Sequence, residues 1–334
     1  MTDNKKMYRI ALILFAAICF LGCQRESEKG YEAVGEEGQD EPYFDLEEIE
    51  ENEPNEQVGF SFGVDNYEEE KGQIPYDGGV LQVDFEVDPQ HCSFECAVLI
   101  YIDGILQEYA LEPQGIPAEQ HTVKVEDKKT ILSVFFIPKI DEKKQKHRIH
   151  FLCMYNPGRQ PENGSGSYGN SHKISQVMPW ELVLTGTCEK TKEKIVPEKM
   201  DTISKEKRKE YEHGNENGKS DNELDEGIRF ETERGQKEKE ITFCILGGMA
   251  AEYRVSAYIG HKPVNFSNGA KYIDLSLDGK HMYEGSLFTE MRSDQDYDTL
   301  YFMAVPISHL GTAMVEKSSS MCLYQGGLQD AANK

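Results

Sequence analysis

The chain has 334 residues, of which 38% are hydrophobic and 29% are charged, and its formal net charge is −24. A chain this acidic lacks the surplus of lysine and arginine that neutralises phosphates, so the composition argues against nucleic acid as a partner. It also argues against binding to an anionic surface through charge alone.

The first segment in chain order is an apolar run over residues 10–21, which follows three basic side chains and ends in Leu-Gly-Cys. A membrane-spanning helix needs roughly 20 apolar residues, whereas about 7–15 are typical of the core of a signal peptide. Residues 1–23 therefore resemble the signal peptide and lipobox of bacterial lipoproteins. The resemblance implies that Cys23 becomes the lipid-modified N-terminus, which would hold the chain in the bilayer at the extracytoplasmic face of the cell membrane. The alternative is an uncleaved signal anchor with the same topology.

Residues 24–57 carry 14 acidic side chains against two basic ones. A segment with so few apolar residues cannot bury enough surface to offset the entropy lost on ordering. We predict an acidic disordered spacer here. The alternative is a short partner-binding helix around Tyr43–Ile49.

Residues 58–188 show the two-residue period of β-strands. The stretch "VLQVDFEV" alternates apolar and polar side chains, and "CAVLIYI", "TILSVFFIP" and "RIHFLCMY" are rich in β-branched and aromatic residues. Asp103 and Gly104 suit the tight turn of a hairpin. About eight strands without a convincing helix predict an all-β fold, with an antiparallel, Ig-like β-sandwich as the first domain.

The loop over residues 155–179 is the longest connection predicted inside either β domain. Loops longer than about 12–15 residues are usually functional or disordered. Within this loop Arg159, Tyr168 and His172 offer a fork-shaped donor, a stacking surface and an imidazole. We predict them as ligand-binding residues at the rim of the sandwich, and the alternative is an inert mobile loop.

Residues 189–240 contain 16 acidic and 13 basic side chains and almost no aliphatic period, which predicts a charged linker. Strand-like sequence returns over residues 241–327 and predicts a second, smaller β domain, also an antiparallel, Ig-like β-sandwich, before a tail at 328–334. An Asp-Gly pair followed by a proline occurs in both domains, in "IDG" with "FFIP" and in "LDG" with "MAVP". This similarity is weak evidence for a repeat.

No pattern in the chain predicts a cofactor or a metal site. The run "GSGSYG" at 164–169 matches the glycines of a dinucleotide site, but no strand–helix unit surrounds it. Six cysteines remain after Cys19 and Cys23, and six allow 15 disulfide pairings, so sequence does not select one. For Cys153, on a predicted strand, we favour a buried free thiol.

The pattern as a whole predicts a membrane-anchored, non-catalytic binding module for a partner protein or a glycan. "IDGILQEY", "YNPGRQP" and "SYGNSH" loosely resemble uncharacterised surface lipoproteins of Gram-positive bacteria, which carry no established activity. One alternative is an extracytoplasmic hydrolase with its site at the 155–179 loop. Another is a structural or chaperone component of envelope assembly.

Overall fold

The structure, a computed structural model, describes residues 60–68, 72–89, 93–140, 144–160, 168–204, 228–234, 240–288, 297–308, 313–324 and 327–328. The predicted signal peptide, the lipidation site Cys23, the acidic spacer and the C-terminal tail lie outside the described residues, apart from Leu328. The described residues all belong to one compact unit, Asn55–Lys334. No helix within them is long and apolar enough to cross a membrane.

The first sandwich consists of two main sheets. Outer sheet 1 has the order β1-β3-β7, and inner sheet 1 has the order β2-β11-β9-β4-β5, with β10 on β9 and β6 on β4. The strands are β1 (Ser61–Val64), β2 (Gln73–Tyr76), β3 (Leu81–Asp88), β4 (Phe94–Ile102), β5 (Ile105–Leu106), β6 (Thr122–Val125), β7 (Thr130–Phe136), β8 (Lys139–Ile140), β9 (Lys146–Tyr155), β10 (Ile174–Gln176), β11 (Trp180–Leu184) and β12 (Glu189–Lys190).

The second sandwich is built in the same way. Inner sheet 2 has the order β13-β19-β17-β21-β23-β24, with β18 on β17 and β22 on β21, and outer sheet 2 has the order β14-β20-β16-β15. The strands are β13 (Ile195–Pro197), β14 (Asp201–Thr202), β15 (Ile228–Arg234), β16 (Glu240–Gly247), β17 (Ala251–Ile259), β18 (Lys262–Val264), β19 (Tyr272–Leu277), β20 (His281–Phe288), β21 (Tyr297–Pro306), β22 (Glu316–Lys317), β23 (Met321–Tyr324) and β24 (Gly327–Leu328). The prediction of an all-β fold with two sandwiches is confirmed.

Each sandwich has its own core, formed by the alternation that the sequence shows. In the first, Val83 and Phe85 of β3 face Phe151 of β9, with the Phe85 and Phe151 rings 5.0 Å apart. In the second, Phe243 of β16 packs on Phe302 of β21, with ring centroids 4.9 Å apart. Burying one such side chain contributes about 1.5–3 kcal/mol to stability.

The two inner sheets also pack against each other, so the four sheets form successive layers. An apolar cluster between the two inner sheets is shared by both sandwiches. Inner sheet 1 contributes Leu99, Tyr101, Leu152 and Met154 to it. That cluster also contains Tyr258, Tyr301, Met303, Val305 and Val315. One face of each inner sheet packs in the core of its own sandwich, and the other face packs in the shared cluster. The strands β4, β9, β17 and β21 are therefore buried on both sides over most of their length.

The predicted charged linker contains paired strands. β13 pairs with β19, β14 pairs with β20, and β15 pairs with β16. Beyond β14, Ile203 is buried on the outer face of outer sheet 2, with Leu246 and Met282. β12 also pairs with β8. The predicted charged linker, residues 189–240, therefore includes paired strand residues at 189–190, 195–197, 201–202, 228–234 and 240, and the part that only connects the sandwiches is shorter than predicted.

The two sandwiches share one pairing pattern. The hairpin β4–β5 corresponds to β17–β18, and the pair β4/β9 corresponds to β17/β21. Equivalent backbone hydrogen bonds mark the same register in both sandwiches. The N–H of Asp103 donates to Arg148 O at 2.8 Å, and the N–H of Gly260 donates to Thr299 O at 2.9 Å. The specific correspondence suggested by the Asp-Gly pairs is wrong, because Gly104 ends the β4–β5 turn whereas Gly279 lies between β19 and β20.

Candidate binding site

A shallow depression of about 370 Å³ lies at one end of the first sandwich and contains the predicted residue Arg159. Three segments meet there: the start of β4, the end of β6 and the loop that follows β9. The lining residues are Ser93, Phe94, Glu95, Lys124, Asn156, Gly158 and Arg159.

A tight turn after β9 positions the guanidinium-bearing segment. Asn156 adopts a left-handed backbone conformation with φ 42°, which asparagine tolerates better than most residues. Its backbone N–H donates to Glu95 O at 2.7 Å, and its Oδ1 accepts from Glu95 N at 3.1 Å. The N–H of Arg159 then donates to Asn156 O at 3.1 Å. Both backbone and side chain of Asn156 therefore fix Arg159 beside the start of β4.

The floor of the depression is aromatic and rigid. Phe94 is 5% exposed, and its ring lies 5.0 Å from that of Phe60 and 5.3 Å from that of Tyr155. Aromatic rings packed in this way offer a flat surface with little conformational freedom to lose.

The rim of the depression carries two cations and one anion. Lys124 and Arg159 are exposed, and Lys124 forms a surface ion pair with Glu126 at 3.0 Å. Such exposed pairs contribute little to stability, so Lys124 can exchange this partner for a ligand at little cost. With Glu95 opposite, the site suits a ligand that offers a carboxylate to Arg159 and a donor to Glu95.

Two predicted ligand-binding residues lie elsewhere, in the interface between the sandwiches. Tyr168 is 8% exposed and His172 is 1% exposed. Tyr168 Oη is 2.8 Å from Thr299 Oγ1, and His172 Nδ1 is 3.1 Å from Ser320 Oγ. The expectation that these side chains project from an exposed rim is wrong, because the second sandwich covers them. The sequence of the loop gives no signal for a partner more than 120 residues away.

The predicted alternative of a hydrolase would need a nucleophile near His172, and the Ser320 hydroxyl is in contact with that imidazole. Burial lowers the pKa of His172 to about 3, which makes it a weak general base near neutral pH. Lys317 Nζ donates to the same Ser320 Oγ at 2.9 Å and to Ser318 O at 3.0 Å. In the described part of the chain, no three His, Cys, Asp or Glu side chains are grouped to hold a metal.

A second depression of about 350 Å³ lies in the second sandwich, between β15 and the segment that joins β22 to β23. Its lining residues are Ile228, Arg229, Phe230, Glu231, Lys317, Ser318, Ser319 and Met321. None of the three predicted ligand-binding residues lines it. Cys153, predicted as a buried thiol, lies in the core beside Cys96, and neither forms a disulfide.

No protein-family model and no curated protein matches the chain. Solved structures with distant similarity include the CsuC–CsuE chaperone–tip adhesion subunit pre-assembly complex of Csu pili from Acinetobacter baumannii. It is 10% identical over 73% of this chain and 93% of that chain, with a TM-score of 0.17. The YadV chaperone is 7% identical over 78% and 98%, with a TM-score of 0.20. Red sea bream transglutaminase is 9% identical over 78% and 31%, with a TM-score of 0.17. Similarity this distant says nothing about ligand or activity.

Proposed function

We propose that the protein is a lipid-anchored extracytoplasmic binding protein without catalytic activity, whose first sandwich binds a carboxylate-bearing group on a glycan or a partner protein. The observation that carries the proposal is the depression at Arg159, with two exposed cations on its rim and the Phe94 ring as its floor. Two cations, a carboxylate and an aromatic floor are groups that recognise a charged or flat ligand, which supports a role in binding.

Arrays of glycans and peptides probed with the chain test this proposal. Once a ligand is found, Arg159→Ala and Lys124→Ala are each expected to weaken binding by about 1 kcal/mol or more, as truncation of a binding cation does. Lys139→Ala is the matched control, because Lys139 also forms an exposed surface ion pair, with Glu108 at 2.6 Å, but lies outside the depression. Equal affinities for the three variants and the unaltered chain would mean that the ligand does not bind in this depression.

The lipid anchor is tested separately. Cys23→Ala is expected to leave an unprocessed precursor and to abolish incorporation of labelled palmitate, because the thiol of Cys23 is the atom that would be acylated. Cys19→Ala, in the same segment, is the control and is expected to be labelled normally. Normal labelling of the Cys23 variant would contradict the anchor.

A further inference from the structure

The segment Tyr168–Gln176, which we call the strap, belongs to the first sandwich but is seated on the second. Its backbone is tied to β9, where His172 N donates to Tyr155 O at 2.7 Å. Its side chains reach across the interface. Tyr168 contacts Thr299, His172 contacts Ser320, and Gln176 accepts from Val315 N at 3.0 Å and donates to Val315 O at 3.2 Å. The strap thus supplies one group of polar contacts between the two sandwiches.

His172 is the residue of the strap that changes charge most readily near neutral pH. Its backbone is left-handed, with φ 65°, and its ring is 5.0 Å from the ring of His261, which is also left-handed with φ 63°. Both unusual backbones meet at one point of the interface, so the position of the imidazole is imposed by the fold. The side chain is 1% exposed, which leaves no room for water to solvate a second proton.

We propose that the strap is an acid-responsive latch: protonation of His172 expels the strap from its contacts with the second sandwich.

Several elements place titratable or charged groups around His172. The titratable and charged groups that face it or its nearest partners are Tyr168 and Arg159 from its own sandwich, His261 in the β17–β18 turn, Asp298 and Tyr301 on β21, Lys317 on β22 and Cys322 on β23. The pKa of His172 is lowered to about 3. Burial is the largest cause, the charges of His261 and Lys317 act in the same direction, and the carbonyls of Arg159 and Pro157 oppose them.

The direction of the pH effect follows from these values. A released His172 titrates near its ordinary pKa of about 6.5, whereas the seated one titrates at about 3. Between these values only the released state binds the proton, so acidification favours release, and His172 makes no contribution to the pH dependence above about pH 7. One linked proton changes the opening equilibrium tenfold per pH unit, which is roughly thirtyfold at about pH 5.

Hydrogen exchange of the Val315 amide tests the latch, because the strap side chain Gln176 accepts the hydrogen of that amide. With the full chain, and after correction for the intrinsic exchange rate, protection of Val315 is expected to fall roughly thirtyfold between pH 7 and about pH 5. The Ser267 amide, bonded to Ser286 O inside the second sandwich, is the internal control and is expected to keep its protection. Unchanged protection of Val315 in the unaltered chain would overturn the proposal.

Two variants assign the effect to one histidine. His172→Asn keeps a side-chain donor and suits the left-handed backbone, but it does not titrate, so its Val315 protection is expected to be independent of pH. His261→Asn makes the same change on the opposite side of the contact and is expected to retain most of the pH dependence. The reverse pattern would overturn the assignment to His172.

Discussion

Replacing Gly104 by alanine is expected to lower the free energy of unfolding by about 2–5 kcal/mol. Gly104 has φ +75°, a conformation that costs an L-residue about 1–2 kcal/mol. An added Cβ would also lie 2.6 Å from Arg254 Cβ and 3.0 Å from Ile307 Cγ2, both in the second sandwich. Overpacking of this kind typically costs about 1–3 kcal/mol more.

Gly279→Ala is the matched control, because Gly279 also follows an aspartate and has φ +70°, but no atom lies within 4 Å of its added Cβ. We expect it to cost only the backbone term of about 1–2 kcal/mol. Chemical denaturation of the two variants beside the unaltered chain measures both losses. Equal losses would mean that the hairpin turn of the first sandwich does not contact the second.

Strands with one face buried and one face exposed to solvent are well predicted from the sequence. In β3 every second residue, such as Val83 and Phe85, is buried, and the intervening Gln82 is exposed. That alternation follows directly from the two-residue period of a strand, so both the strand and its inward face were predictable.

The packing of the sandwiches on each other has a signal in the sequence of two strands. The runs "CAVLIYI" in β4 and "FLCMY" in β9 are continuously apolar, which is typical of strands buried on both faces. Leu99 and Leu152 had no assigned role in a sandwich with one core, and they lie in the shared cluster. Identifying the partner sheet was not possible, since nothing in β4 indicates which other apolar strands cover it.

The strands within the linker and the burial of the loop residues could not be predicted from the sequence, for the same physical reason. β13 and β14 are too short to show a period, and their pairing with β19 and β20 comes from tertiary context. Tyr168 and His172 are polar residues in a glycine-rich loop, which is typical of an exposed segment. Only the position of Thr299 and Ser320 on the second sandwich makes them buried.

Arg254→Ala is expected to lower the free energy of unfolding by about 3 kcal/mol. Arg254 is 7% exposed and binds Asp274 with two donors, Nε to Oδ1 at 2.7 Å and Nη2 to Oδ2 at 2.9 Å. Its Nη1 also donates to Asp103 O at 2.8 Å, across the interface. Removing Arg254 leaves the partly exposed carboxylate of Asp274 and the carbonyl of Asp103 without their donor, and costs in this range are typical.

Two controls separate geometry from charge in this prediction. Arg254→Lys keeps the charge but not the fork, so an intermediate loss is expected. Lys146→Ala removes an exposed ion pair, with Glu181 at 2.8 Å, and is expected to cost about 1 kcal/mol or less. Urea denaturation of the three variants provides the comparison, and a loss for Arg254→Ala no larger than that for Lys146→Ala would contradict the buried role.

The double variant Gly104→Ala with Arg254→Ala tests whether both changes act on one contact. Alanine at 254 retains its Cβ, so the closest clash with residue 104 remains, but the Cδ atom at 3.2 Å and the bond to Asp103 O are gone. The Asp103–Gly104 turn then has one hydrogen bond fewer to the second sandwich and can move away from it more easily. We therefore expect the combined loss to be smaller than the sum of the single losses by about 0.5–3 kcal/mol, the range typical of residues in contact. Strict additivity would mean that the Asp103–Gly104 turn and Arg254 stabilise the chain independently, and that the interface between the sandwiches is not organised around them.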